Sequence, residues 1–143
     1  MCFKIKYLSL ILLSSLLFIN LSCKDPLKEE DKKEEIIVLV NETLREVGRY
    51  IFLWDGKDKN GKVIEPGKYI YTFESKDFND QDYMEAVENN KIAKPEFTHF
   101  EAGVWYSYEL EAAEPNPFNI ETGVAIAIKI PSPTSVKIRI FKD

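Results

Sequence analysis

Cysteine and histidine are almost missing from this 143-residue chain, which has two of the first, Cys2 and Cys23, and one of the second, His99. Beyond Cys23 there is no thiol for a disulfide, a nucleophile or a metal cluster. No glycine-rich phosphate loop, nucleophile elbow or metal-ligand spacing occurs either. His99 stands alone between Thr98 and Phe100, and a general base needs a nucleophile and an orienting partner. Paired carboxylates are common, but 24 acidic residues in a chain of this length produce pairs by chance. Catalysis has no constellation to rest on, and no cofactor or metal is expected. A basic surface is missing too: 19 Lys and Arg against 24 Asp and Glu give a formal net charge of −5. That balance argues against nucleic-acid binding, which needs cations to displace phosphate counterions.

Long apolar runs are scarce. The longest, residues 8–19, is interrupted by serines and falls short of the ~20 residues that a membrane-spanning helix needs. Lys4 and Lys6 precede it, so residues 1–22 read as a secretory signal, with an uncleaved membrane anchor as the alternative. Leu21-Ser22-Cys23 resembles the end of a bacterial lipobox, although Asn20 stands where an aliphatic residue is usual. The resemblance implies that Cys23 is lipidated and becomes the N-terminus of an envelope lipoprotein, held at the outer membrane and facing the periplasm or the cell surface. Loss of residues 1–22 removes Lys4 and Lys6 and no acid, moving the net charge from −5 to −7. Ten of the twelve residues 24–35 are charged, too polar to offset the entropy of ordering them. Residues 23–35 are expected to be a solvated tether whose twelve residues after Cys23 reach ~40 Å when extended.

Residues 36–143 are enough for one domain. Tyr50, Phe52 and Trp54 alternate with Ile51 and Leu53, and Tyr69, Tyr71 and Phe73 alternate with Ile70 and Thr72, the two-residue period of strands. Asn60-Gly61 and Pro66-Gly67 are turn signals between them. Near the C-terminus Val124, Ile126, Ile128 and Ile130 share one face while Ala125, Ala127 and Lys129 take the other. After a Pro131-Ser132-Pro133 break, Val136, Ile138 and Ile140 alternate with Lys137, Arg139 and Phe141. Residues 36–40 form a further apolar run of strand length, with Asn41, Glu42 and Thr43 expected to begin a turn.

Two segments carry a family resemblance. The first is Trp54, Asp55, Gly56, Asp58, Asn60, Gly61, Gly67 and Tyr69, in the pattern W-D-G-x-D-x-N-G-x5-G-x-Y. The second is Pro115-Asn116-Pro117-Phe118-Asn119, followed by alternating strands. Together they resemble the immunoglobulin-like domain of the flagellar hook-capping protein and the related C-terminal sorting domains of type IX secretion cargo. In that family the P-N-P-F-N segment comes first and the W-D-G segment last; here the order is reversed. The resemblance therefore implies an all-β, immunoglobulin-like antiparallel β-sandwich in circularly permuted order, in which the N-terminal strand supplies the continuation of the last one. The rival is a pair of incomplete halves completed by another chain, so a monomer and a strand-exchanged dimer both stay open. The reversal argues against carrying over type IX sorting or hook capping.

Three stretches invite sharper readings. Asp55, Asp58 and Asn60 suggest a calcium loop, but an EF-hand register would put glycines at the first and twelfth ligand positions, so a turn held by its own Asp and Asn side chains is preferred. Asn79 is positioned to cap a short helix over residues 80–89, with Tyr83, Met84 and Val87 on one side. Residues 97–112 resume strand character and are rich in aromatics, with Trp105 and Tyr106 the candidates for stacking on sugar rings. The expected function is a lipid-anchored envelope protein whose non-catalytic module serves a structural role or contacts an envelope protein; a small-ligand module for glycan at the cell surface is the alternative.

Overall fold

Nine strands make up the ordered architecture of residues 32–143, the part of the chain described by the computed structural model. The signal segment, the lipidation site Cys23 and most of the tether lie outside the described residues. In chain order the strands are β1 (Glu35–Leu44), β2 (Gly48–Trp54), β3 (Gly67–Glu74), β4 (Asn79–Val87), β5 (Phe100–Ala102), β6 (Glu109–Leu110), β7 (Phe118–Asn119), β8 (Val124–Ile130) and β9 (Thr134–Lys142). They form a five-stranded sheet in the order β1-β9-β3-β4-β7 and a four-stranded sheet in the order β5-β2-β8-β6, curled against each other like a sandwich.

Alternation decides which side chains enter the core. Val124, Ile126, Ile128 and Ile130 of β8 are fully buried, as are Ile138 and Ile140 of β9, and the residues between them face outward. From β3, beside β9 in the five-stranded sheet, Tyr69, Tyr71 and Phe73 enter the same core. Trp54 closes one end, its ring 5.8 Å from that of Tyr69 and 5.7 Å from that of Phe118. Phe73, Phe78 and Tyr108 cluster elsewhere in the core, with Phe78 and Tyr108 stacked at 5.5 Å. Tyr71 ties the sheets together: its hydroxyl donates to Glu111 O and accepts from Ala113 N, both at 2.8 Å. Burial and the neighbouring Asp82 carboxylate push that phenol well above its ordinary pKa, so it stays a neutral donor.

The first strands pair with the last. β1 runs antiparallel to β9 through two bulges, and β2 pairs with β8 from Gly48 opposite Ile130 to Trp54 opposite Val124. All nine strands have their partners within this one chain. The two ends of the described segment are adjacent: Lys142 N donates to Glu34 O at 2.9 Å, and Lys33 Nζ lies 3.1 Å from Asp143 Oδ1.

Three local expectations are corrected. The helix over residues 80–89 is strand β4, and no helix occurs among the described residues. A helix would put Tyr83 and Met84 on one side, but Met84 is buried and Tyr83 is 48% exposed, the two-residue alternation of a strand. The reason is tertiary: β3, deeply buried, needs a hydrogen-bonding partner along its edge, and Ser75 N to Phe78 O at 2.8 Å closes the turn that brings β4 back. Residues 41–43 do not turn; β1 continues to Leu44 opposite Thr134. Residues 97–112 hold only the short β5 and β6, on opposite edges of the four-stranded sheet, with Trp105 and Tyr106 in the irregular segment between them.

Candidate functional site

The two motif segments, about sixty residues apart in sequence, interlock at one corner of the sandwich. Gly56 has φ +72°, and a Cβ there would lie 2.6 Å from Ile120 O; Gly123 has φ +83°, and a Cβ there would lie 2.3 Å from Trp54 O. Backbone conformation and space both exclude a side chain at either position. Between them Trp54 Nε1 donates to Lys57 O at 2.8 Å, which satisfies the buried indole. Asp58 Oδ1 accepts from Asn60 N and Lys62 N, and Asp55 Oδ1 accepts from Lys57 N, so these carboxylates brace the loop backbone. Gly61 N donates to Asp58 O, and Tyr69 reaches from β3 to bond Glu65 O at 2.7 Å just before Gly67.

The second motif is equally structural. Asn116 accepts from Glu85 N and donates to Tyr83 O, so its amide stands in for a neighbouring strand along the edge of β4. The peptide bonds before Pro115 and Pro117 are cis. Phe118 is fully buried, and Asn119, the one buried polar residue among the described residues, accepts from Glu121 N through its side chain and from Thr122 N and Gly123 N through its carbonyl. Among the described residues no group of three or more His, Cys, Asp or Glu is placed to hold a metal.

The other side of the molecule is different. The outer face of the four-stranded sheet carries an open groove of about 1330 Å³. Its floor is Ile51 of β2 with Ala125 and Ala127 of β8; its walls are residues 93–98 and 111–116. The alanines make the room, because larger outward side chains on β8 would fill it. No backbone N–H or C=O of residues 93–98 bonds another described residue, whereas the opposite wall is fixed through Glu111 N to Ala127 O and Glu114 N to Ala125 O. One wall is anchored sheet and the other is a strap with unpaired peptide groups.

A charge network closes one end. The guanidinium of Arg49 grips Glu111 through Nε (2.9 Å to Oε1) and Nη2 (2.6 Å to Oε2) and reaches Glu101 through Nη1 at 3.3 Å. Lys129 Nζ lies 2.8 Å from Glu109 and 3.1 Å from Glu111, and sits 4.7 Å above the ring of Trp105. The hydrogen bonds from Arg49 hold the Glu111 carboxyl below its ordinary pKa; those to Glu111 and Glu109 raise Arg49 and Lys129 respectively. His99 is exposed, its ring edge-on to Phe97 at 4.9 Å, while its carbonyl accepts from Ile51 N.

The two sugar-stacking candidates do not form one platform. Trp105 is half-buried under Lys129, its Nε1 shielded and without a partner, while Tyr106 is 94% exposed. Arg49, Glu111 and the strap were not singled out by the sequence reading. The available signal was Ala125-x-Ala127 on the outward face of a strand whose inward face is all Val and Ile. Comparison with family models, with curated proteins and with solved structures found no match for this chain.

Proposed function

We propose that this chain is a lipid-anchored protein of the bacterial envelope whose immunoglobulin-like sandwich, in permuted strand order, is a non-catalytic module for contact with another protein. The observation that carries this reading is the groove, which combines one anchored wall with one wall of unpaired peptide groups. Its volume exceeds the ~300–1,000 Å³ of a small-molecule pocket and suits a segment of polymer. The permuted immunoglobulin-like reading draws support from β1 lying beside β9, where the resembled family has a continuous hairpin, and from the interlocked motif corner. Lipidation at Cys23 accounts for its position after an apolar signal and before a charged tether.

A photo-crosslinking amino acid at Ala112, in the groove, and at Gln81, on the other sheet, tests the reading in living cells. A discrete protein adduct from position 112 and none from 81 is expected. Equal adducts from both, or none from 112, would sink it. Mass spectrometry of the mature protein tests the anchor: an N-terminus at Cys23 carrying the mass of attached acyl chains is expected, and an unmodified Cys23 would refute lipid anchoring. A glycan ligand is the second reading, favoured by the bare ring of Tyr106. It predicts that neutral oligosaccharides quench tryptophan fluorescence and that Tyr106→Ala abolishes the effect.

A further inference from the structure

Four carboxylates, Glu96, Glu101, Glu111 and Glu114, line the groove against two cations, Arg49 and Lys94. Arg49 is already held by Glu101 and Glu111. Glu96 on the strap and Glu114 on the anchored wall are exposed and make no ion pair among the described residues, and neither does Lys94, so these three groups leave the lining with a net negative charge. The strap supplies the second requirement. Residues 93–98 contain no bend, and their peptide groups, apart from the missing N–H of Pro95, are without partners in the domain. An extended backbone laid along them would satisfy groups that a compact ligand would leave to water.

Resting on the protein-contact reading above, we infer that the groove takes an extended polypeptide segment carrying Lys or Arg. The backbone of that segment pairs with the strap, its side chains fill the space between the two walls, and its cation meets Glu96 and Glu114. Acidic segments are repelled by the same pair, so charge gives selectivity as well as attraction.

The test is selection of a random heptapeptide library displayed on phage against the full chain in detergent micelles. Enrichment of clones with Lys or Arg at a recurrent position is expected. Synthetic versions should bind an E96Q/E114Q double variant about fivefold more weakly, as the loss of two solvent-accessible charge pairs allows, and should weaken as salt is raised. Enrichment of acidic or uncharged sequences, or equal affinity for the double variant, would overturn the inference. An A112W variant separates the two levels, because it fills the groove without altering charge. Peptides that ignore E96Q/E114Q but are lost on A112W would leave the groove as a protein-contact surface and refute the charge preference alone. Selected peptides that bind A112W undiminished would refute both.

Discussion

The motif corner and the strap over the four-stranded sheet are built by opposite rules. At the corner, Trp54, Phe118 and Asn119 are buried, the indole N–H has its carbonyl, Asp58 and Asn116 bond backbone groups, and two glycines sit where a Cβ would strike a peptide oxygen. In residues 93–98, no backbone group is tied to the domain. Polar groups that matter for stability are paired internally, since an unpaired buried one costs about 1–3 kcal/mol. Groups left open at the surface are free to bond water or an outside partner. The contrast separates a corner whose polar groups are satisfied internally from a surface segment whose peptide groups are open.

Substitution at the corner should break the scaffold outright. Trp54→Ala removes the side chain that touches Tyr69 and Phe118 and is expected to cost about 3–5 kcal/mol, read as a lower urea midpoint. A change below 1 kcal/mol would mean that the corner is not a cornerstone of the core. Tyr71→Phe should cost less, about 1–3 kcal/mol, because it leaves Ala113 N and Glu111 O without their shared partner. Hydrogen exchange at Ala113 should accelerate in that variant while exchange across β8 and β9 keeps its order.

Glu111 sharpens the comparison through pH. Its folded pKa is lowered, so the unfolded chain takes up its proton first as pH falls. The stability it contributes is present above the ordinary carboxylate value near 4.5 and is lost progressively below it. Urea midpoints of the native protein should therefore drop below about pH 4.5, and a Glu111→Gln variant should show a shallower drop there with a lower plateau at neutral pH. Identical profiles would show that the Arg49–Glu111–Lys129 network is energetically idle. The smallest stability effect is expected at the groove itself: Ala112 is exposed, and Ala112→Trp should shift the midpoint by no more than about 0.5 kcal/mol.

Much of the scaffold was legible because its signals are local. Val124 to Ile130 and Val136 to Ile140 declare their faces by alternation, Asn60-Gly61 and Pro66-Gly67 declare turns, and Asp58 braces its loop as a turn residue does. β4 was misread for an instructive reason. Asn79 followed by acidic residues has the local chemistry of a helix start, and only the open edge of β3 converts that stretch to strand. The groove was invisible for the same reason: Arg49 and Glu111 are 62 positions apart, and Ile51, Ala125 and Ala127 meet only because β2 and β8 pair.

The amino-acid sequence by itself determined the all-β character, the two-residue faces of β2, β3, β8 and β9, and the glycine-bearing turns of the W-D-G loop. These follow from side chains within a few residues of one another and from the torsions that glycine and proline permit. Tertiary structure alone decided that residues 79–87 are a strand, that Tyr71 bridges the sheets, and that two alanines on β8 become the floor of a groove. Each of those depends on which backbone edges and which surfaces are left over once distant strands have paired, and a one-dimensional pattern does not carry that information.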